Sequence, residues 1–393
     1  MEKKAVYLDH AAATPLLPEV LKKMMPFLTD QFGNPSALYG LGVAAHDAVE
    51  NSREKVAQVL GAVPENIIFT SGGTESNNLA ILGVARAHAG SGNHVIAIGI
   101  EHSSVLEPLK ELTKQGFEIT YVPVDRSGLV SAEAVLAALK PETILVTVLY
   151  ANNEIGSIEP IADIGRVILK YRQHNKTHYP YFHTDACQAG NYLDLNVERL
   201  HVDLMTLNGS KIYGPKGSGC LYVRRGVKLE KLVHGGGQER NFRSGTENVA
   251  GIVGFAEALS KVQSEREKET ERLQKLSAYF WEELYRLLPE AVLNGPMFGI
   301  NRLPNNVHVT LPGVEGERLV LYLGETGVSC SAASACASEK GETSHVLQAI
   351  GISETNANQS VRFTLGRGTT KSVVEHVVGV IARLHKKLFN HAF

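Results

Sequence analysis

Short, nearly continuous apolar segments alternate with amphipathic segments along the first part of the chain. Such apolar segments are typical of strands buried on both faces of a parallel sheet. Amphipathic stretches at residues 75–88 and 104–115 predict helices between them. The alternation predicts an α/β fold, with a mostly parallel central sheet flanked by helices. The predicted strands span residues 66–70, 94–100, 119–124, 144–150, 181–184 and 204–207.

The pattern changes near residue 258. Residues 261–288 carry apolar side chains at three- and four-residue spacing, which predicts one long amphipathic helix. We interpret this helix as the connection to a smaller α+β domain that ends in another amphipathic helix. The predicted organisation is a large domain at residues 14–258 and a small domain at 259–393, with residues 1–13 packing near the small domain. The final helix places on one face Val374, Val377, Ile381, Leu384 and Leu388.

Composition and charge exclude several function classes. The 393 residues include 39 Lys and Arg against 41 Asp and Glu, a net charge of −2, which provides no electrostatic signature for nucleic acid or an anionic membrane. No apolar run is long enough to span a bilayer, and the first 17 residues do not resemble a signal peptide. Four cysteines in so long a chain predict a reducing, cytoplasmic location. The sequence contains neither a CxxC nor an HExxH pattern, so no such motif predicts a metal site.

A glycine-containing turn follows the first predicted strand of the sheet. Residues 70–77 read TSGGTESN, and their small side chains allow backbone N–H groups to approach an anion at a helix N-terminus. The hydroxyl of Thr74 would add a further donor. The turn is neither a Walker A loop nor a GxGxxG motif. By itself it is equally consistent with a tight turn that caps a helix.

Two further polar groups follow later strands. Asp185 ends the strand at 181–184, and Lys211 lies among small residues after the strand at 204–207. Taken singly, a strand-end aspartate is most often a helix cap and a lysine a surface charge. A parallel sheet, however, gathers its carboxyl strand ends into one crevice. Pyridoxal 5'-phosphate (PLP) requires a carboxylate for its pyridine nitrogen and a lysine for a Schiff base, and Gln188 could bond its phenolic oxygen.

Ordered blocks along nearly the whole chain resemble the cysteine desulfurases of the class V aminotransferase superfamily. This resemblance implies the PLP-dependent transferase fold type I and a homodimer. It also implies that the enzyme converts L-cysteine to L-alanine and supplies sulfur for iron–sulfur clusters or thiolated cofactors. The acceptor would be an iron–sulfur scaffold or a sulfurtransferase. The matching blocks are YLD at 7–9, AATP at 12–15, FGNPS at 32–36, TES at 74–76, EH at 101–102, NNEIG at 152–156, Asp185 with Gln188, KIYGPKG at 211–217, HGGG at 234–237, RSGT at 243–246, SAC at 334–336, VRF at 361–363 and LGR at 365–367.

The resemblance implies a role for each matching residue. Lys211 would hold PLP covalently and Asp185 would pair with the pyridinium nitrogen. His102 would stack on the ring and take part in proton transfer, and Arg362 would clamp the substrate carboxylate in bidentate geometry. The other implied contacts are Gly73, Thr74, Asn208 and Ser210 near the phosphate, Thr246 reaching it from the partner subunit, Gln188 on the phenolic oxygen, Asn153 at cofactor and substrate, and Asn34 at the substrate.

The sulfur-accepting thiol is assigned to Cys336, because the SAC motif contains it and a small, polar stretch follows it. The nucleophile must be a reachable thiolate. An ungapped count forward from Val328 brings Cys330 nearer the position that the family pattern SGSACTS gives the thiol. Cys330 therefore stays open as a resolving or replacement thiol, although a small buried hydrophobic residue is its more common state. Cys187 and Cys220 are predicted to be packing residues.

Two positions depart from the family pattern. Ser210 stands where this branch usually has His, and Asn208 where it often has Ser. Both side chains can still donate to a phosphate, so we expect a phosphate site with altered contacts.

Two rival functions stay open: a selenocysteine lyase or cysteine sulfinate desulfinase, and a non-catalytic sulfur-relay paralogue. Cys336 argues against a pure desulfinase, and the retained site residues argue against a paralogue without activity.

Overall fold

The computed structural model describes residues 5–332 and 343–389. Within these residues the strands are β1 (Val6–Tyr7), β2 (Ile67–Thr70), β3 (His94–Ile98), β4 (Glu118–Val122), β5 (Thr143–Thr147), β6 (Tyr181–Asp185), β7 (Leu204–Asn208), β8 (Gly219–Val223), β9 (Val292–Leu293), β10 (Asn306–Thr310), β11 (Val328–Ser329), β12 (Ser331–Ala332) and β13 (Ser360–Thr364). The helices are α1 (Pro18–Thr29), α2 (Gly40–Leu60), α3 (Gly73–Ala87), α4 (Ser103–Lys114), α5 (Ala132–Ala138), α6 (Ile161–Asn175), α7 (Val197–Leu200), α8 (Val249–Ser264), α9 (Arg266–Leu287), α10 (Gly316–Glu325), α11 (His345–Ala349), α12 (Glu354–Asn358) and α13 (Lys371–Phe389).

The central layer of the described chain is a seven-stranded sheet with the order β2-β8-β7-β6-β5-β3-β4. Only β8 runs antiparallel to its neighbours. Strands β3, β5, β6, β7 and β8 are buried along nearly their whole length, as expected for a sheet covered on both faces. The predicted α/β fold class is therefore confirmed.

Two predicted strands end earlier than the apolar pattern does. The pattern continued to residues 100 and 150, whereas β3 ends at Ile98 and β5 at Thr147. Leu149, Tyr150 and Ala151 are nevertheless buried. These apolar residues are buried although they lie outside the strand. Leu149 and Tyr150 pack in the core of the large sheet, and Ala151 packs in the core around the second sheet. The apolar pattern therefore indicates burial, whereas backbone hydrogen bonds to the neighbouring strands determine where each strand ends.

The prediction of one helix over residues 261–288 is wrong. Helix α8 ends at Ser264 and α9 begins at Arg266, with Glu265 at φ −103° and ψ 2° between them. The two helices serve different cores: Val262 packs into the core of the large sheet, and Leu273 into the core of the second sheet. Glu265 holds the bend, because its carboxylate pairs with both Lys261 and Arg367 at 2.6 Å.

A second, smaller sheet has the antiparallel order β12-β13-β10-β9 within the described residues. Helices α9, α10 and α13 pack on it, and the five predicted apolar positions of α13 are all buried. The N-terminal segment joins this part of the molecule, since β1 pairs with β11 and Asp9 bridges to Thr364. The domain boundary at residue 258 stays a prediction. No described helix has the length and apolar character needed to cross a membrane.

A buried carboxyl group predicts how stability depends on pH. Glu159 is 1% exposed, and burial raises its pKa from 4.5 to about 8. The folded chain therefore retains a proton that the unfolded chain releases near 4.5. This contribution is fully present below the unfolded pKa and is lost as pH rises towards the folded pKa, here between about 4.5 and 8.

Between pH 5 and pH 8 the free energy of unfolding of the parent protein should fall. We expect this fall to be about 3 kcal/mol smaller in Glu159→Gln. Gln keeps an oxygen that can accept from Val130 N, as Glu159 does at 2.9 Å. Urea titrations at both pH values measure the effect, and Glu133→Gln on the exposed side of α5 is the control. A variant as pH-dependent as the parent would contradict the assignment.

Candidate active site

The carboxyl ends of five strands open at one edge of the large sheet. Strands β2, β3, β5, β6 and β7 run in the same direction, so the segments that follow them lie side by side. These segments carry Thr74, His102, Asn153 and Lys211, and Asp185 is the last residue of β6. The structure thus gathers at this edge the residues that sequence reasoning took from separate motifs.

Lys211 ends a short 3₁₀ turn, Gly209–Lys211, directly after β7. Its Nζ donates to the carbonyl oxygens of Ala11, at 2.8 Å, and Ala12. Gln188 Nε2 donates to the same Ala11 oxygen at 3.0 Å, so the N-terminal segment holds both side chains together. Burial lowers the pKa of Lys211, and the Arg362 guanidinium also lowers it. A lowered pKa increases the neutral amine fraction that a nucleophile or base needs.

Asp185 lies at the buried end of β6, and both of its oxygens accept hydrogen bonds. Oδ2 accepts from Asn77 Nδ2 at 2.7 Å, and Oδ1 accepts from Cys187 N at 2.9 Å. The segment after Asp185 is a turn rather than a helix. The helix-cap interpretation that competes for a lone strand-end aspartate therefore does not apply here. Asn77 carried no assigned role in the sequence analysis, although it stands directly after the TES block.

His102 is the N-cap residue of α4. Its Nδ1 accepts from the backbone N–H of Ser104 at 3.1 Å and lies 2.8 Å from the Ser104 hydroxyl. Burial lowers the pKa of His102. The resting side chain near neutral pH is therefore a neutral imidazole within a hydrogen-bonded helix start.

The glycine turn after β2 forms a close cradle. Gly72 has φ +148° and caps α3 without a side chain, which leaves the first N–H groups of the helix uncapped by this residue. A Cβ at Gly73 would lie 2.7 Å from Cys187 Sγ. Only glycine therefore fits between this turn and the segment after β6. Thr74 is exposed in the first turn of the helix, where an anion would approach.

Asn208 and Ser210, the two departures from the family pattern, bond to each other. Asn208 Oδ1 accepts from Ser210 N and lies 3.2 Å from Ser210 Oγ. A Cβ placed on Gly72 would lie 3.5 Å from Asn208 Oδ1, so the pair borders the glycine turn. The Ser210 hydroxyl is thus held by Asn208 beside the glycine turn.

Arg362 in β13 reaches the same site from the second sheet. Its guanidinium donates to Asn153 O at 2.9 Å, to Asp9 Oδ1 at 2.8 Å and to Ser331 Oγ at 3.2 Å. The side chain is buried, and its Nε has no hydrogen-bond partner among the described residues. Three of the five guanidinium N–H groups are thus used within the described residues. Asp9 had no assigned role in the sequence analysis, although the YLD block contained it.

Two predicted site residues lie apart from this network. Asn34 is exposed, and its Oδ1 accepts from Ser36 N at 2.9 Å within its own loop. Thr246 is also exposed. Nearby, Arg243 pairs with Glu75 at 2.9 Å, beside Thr74. No hydrogen bond in the described part of the single chain links Asn34 or Thr246 to the residues at the strand ends.

The cysteines differ in environment. Cys336 lies outside the described residues. Cys330 separates β11 from β12 and packs against the core of the second sheet, and burial raises its pKa to about 12. Burial also raises the pKa of Cys187 and of Cys220, which is fully buried in β8. Cys220 is thus a packing residue within the large sheet. Cys187 is packed as well, but against the glycine turn at the site.

Comparison with known proteins places the chain in a family. The sequence model of the protein family described as aminotransferase class-V matches residues 6–377. Cysteine desulfurase IscS of Dictyoglomus turgidum is 48% identical over 98% of this chain and 96% of its own length. A solved NifS-like protein has a TM-score of 0.91 at 35% identity, covering 98% of this chain and 100% of that one. A structure described as SspA in complex with cysteine has a TM-score of 0.79 at 36% identity, covering 92% and 98%.

The chain therefore belongs to the class-V aminotransferase family. The resemblance to its cysteine desulfurases is confirmed over nearly the full length.

Proposed function

We propose that this chain, a cysteine desulfurase, converts L-cysteine to L-alanine and captures the sulfur as a persulfide on Cys336. The observation that carries the proposal is the meeting of Lys211, Asp185 and Arg362 at one sheet edge. An amine of lowered pKa, a hydrogen-bonded carboxylate and a guanidinium with a spare donor suit an amino acid bound beside a pyridine ring.

The residues at this edge fit PLP. Asp185 would hold the ring nitrogen, Lys211 the aldehyde carbon and Gln188 the phenolic oxygen. The uncapped start of α3 with Gly73 and Thr74, bordered by Asn208 and Ser210, would hold the phosphate. His102 and Asn153 would lie against the ring. When bound, PLP supplies an electron sink for the bond-breaking at the substrate.

The chain's own side chains would orient the substrate and move its protons. Arg362 would bind the substrate carboxylate, and Asp9 accepts from its guanidinium at 2.8 Å and so helps to fix the guanidinium plane. Lys211, freed as a neutral amine, would take the proton from the substrate Cα. In total, L-cysteine and the Cys336 thiol yield L-alanine and the Cys336 persulfide. The carbon–sulfur bond breaks, a sulfur–sulfur bond forms, and the substrate carbon gains hydrogen.

The outer sulfur of the persulfide would then pass to a thiol of an acceptor protein in the cytoplasm, an iron–sulfur scaffold or a sulfurtransferase, and Cys336 would return to the thiol. A thiol that carries sulfur between sites must be reachable from both. The raised pKa of Cys330, about 12, disfavours it as the carrier. This thiol is almost fully protonated at neutral pH, and only the thiolate is nucleophilic.

The direct test is to incubate the purified holoenzyme with L-cysteine and excess dithiothreitol, which reduces the persulfide to sulfide and thiol, and to measure alanine and sulfide in equal amounts. L-selenocysteine and cysteine sulfinate, tested in parallel, represent the rival lyases. We expect kcat/KM to be highest for L-cysteine. A clear preference for either rival, or no turnover of any of the three, would refute the proposed reaction.

A homodimer would complete this site, because Asn34 and Thr246 remain exposed in the single chain. Supporting this, apolar side chains cluster on the exposed side of α1, α2 and their connecting loop. Large exposed apolar patches often mark protein–protein interfaces, and these side chains all fall within residues 21–43. The exposed members are Leu21, Met25, Leu28, Phe32, Leu38, Tyr39, Leu41 and Val43.

We expect Leu38→Glu to shift the protein from dimer to monomer and to lower activity with it. Leu38 is 96% exposed, so a charge there costs the single chain little but would be desolvated in an interface. The matched control is Ile300→Glu, which changes a residue that is 89% exposed near the second sheet. Light scattering measures the mass. A parent protein that is a fully active monomer would rule out the shared site.

A further inference from the structure

A chain of short hydrogen bonds connects Asp185 to His102 beneath the site. Asn77 Nδ2 donates to Asp185 Oδ2 at 2.7 Å and to Ser104 Oγ at 2.8 Å. Ser104 Oγ in turn lies 2.8 Å from His102 Nδ1. Asn77 is fully buried and Ser104 nearly so. None of the functions assigned above uses either of these two side chains.

The direction of each hydrogen bond follows from the donors available. An ionised carboxylate only accepts, so the Asn77 amide must turn its NH₂ group towards Asp185. The two hydrogens of that group are then used on Asp185 and on Ser104, whose hydroxyl oxygen is the second acceptor. In this orientation the amide oxygen, Asn77 Oδ1, has no partner among the described residues.

His102 Nδ1 must accept at the other end of the chain. The backbone N–H of Ser104 can only donate, and it points at Nδ1 at 3.1 Å. The Ser104 hydroxyl, which already accepts from Asn77, has its own proton free for the same nitrogen. A proton on Nδ1 would face the N–H of Ser104 and remove the cap from the first turn of α4. The neutral ring therefore carries its proton on Nε2.

We propose that Ser104, oriented by Asn77, is a positioning residue that holds His102 as the Nε2–H tautomer. Nε2 lies on the side of the ring away from α4, and no hydrogen bond within the described residues occupies it. In combination with the proposed function, on which this consequence rests, His102 presents a hydrogen-bond donor to the substrate. It would hydrogen-bond the groups on which negative charge develops as the carbon–sulfur bond breaks, while Lys211 acts as the base.

The tautomer is measured directly by nitrogen NMR on holoenzyme labelled with ring-¹⁵N histidine. A His102→Gln sample identifies the signals that belong to this ring. We expect Nδ1 to show the shift of an unprotonated acceptor and Nε2 that of a protonated nitrogen. A parent protein in which Nδ1 carries the proton would overturn the proposal, whatever its activity on cysteine.

The contribution of the hydroxyl is tested by Ser104→Ala, which keeps the backbone donor and the helix. Loss of one hydrogen bond should reduce the ratio of the two tautomers about fivefold, and the two ring-nitrogen shifts should move closer together. Ser104→Thr, which keeps the hydroxyl, should restore the parent shifts. The exposed neighbour Ser103→Ala should leave them unchanged. Parent shifts in Ser104→Ala would contradict the role of Ser104.

Two further readouts separate this inference from the proposed function. Asn77→Ala should move the ring shifts in the same direction as Ser104→Ala, and the role of Asn77 fails if it does not. In turnover of L-cysteine, Ser104→Ala should lower kcat while KM stays within about twofold, because the donor acts on charge that develops during the reaction. A protein that does not turn over cysteine refutes the reaction, and the NMR result still decides the tautomer.

Discussion

Replacing Lys211 by alanine is expected to abolish alanine formation, by about a thousandfold or more, and to remove the covalently held cofactor. General base catalysis alone contributes roughly 10²- to 10⁴-fold, and this lysine would supply both the base and the covalent attachment. Its position supports both roles. The amine is held among buried groups, donates to Ala11 O at 2.8 Å and has a lowered pKa.

The matched control for this change is Lys216→Ala, in the same segment five residues later. Lys216 is exposed, and its Nζ donates to Thr14 O at 3.1 Å. We expect this variant to keep turnover and cofactor. Borohydride reduction of the parent holoenzyme, followed by peptide mapping, identifies the attached lysine. A reduced adduct on another lysine, or substantial turnover by Lys211→Ala, would refute the assignment.

Replacing Cys336 by serine is expected to abolish alanine release, whereas Cys330→Ser should leave the first turnover intact. The two thiols are six positions apart but differ in chemical state. Cys330 lies at a strand junction against an apolar core, and its pKa of about 12 leaves almost no thiolate at pH 7. Cys336 follows in the SAC motif, where small and polar neighbours suit a reachable thiolate.

Single-turnover alanine formation and trapping of the protein persulfide distinguish the alternatives. The parent and the Cys330→Ser variant should both carry the label on Cys336. If Cys330→Ser loses activity and Cys336→Ser does not, Cys330 is the nucleophile. If both variants release alanine but neither holds a persulfide, the enzyme is a lyase in which the two thiols only relay sulfur.

Local sequence patterns determined the element types and the chemistry at the strand ends. Buried strands of a parallel sheet read as apolar runs, so the positions of β6 and β7 followed from residues a few places apart. Asp185 ends β6 and Lys211 ends the short turn after β7, and the parallel direction of the strands brings their ends to one edge. A short stretch of sequence was sufficient for each of these inferences.

Contacts between distant segments were beyond the reach of these patterns. The ion pair of Asp9 with Arg362 joins residues 353 positions apart, and its existence depends on β13 and the N-terminal segment packing together. The bond between Asn77 and Asp185 spans 108 positions in the same way. Hydrophobic periodicity reports which face of an element is buried but does not identify the partner across it.

The sequence by itself therefore determined the α/β fold class, the family and the individual groups at the strand ends. Only the tertiary structure decided where the helix near Glu265 breaks, how the Cys330 thiol is buried and which nitrogen of His102 bears the proton. The physical reason is the same in each case. A bend, a desolvated thiol and a tautomer are set by packed neighbours and hydrogen-bond donors that arrive from elsewhere in the chain.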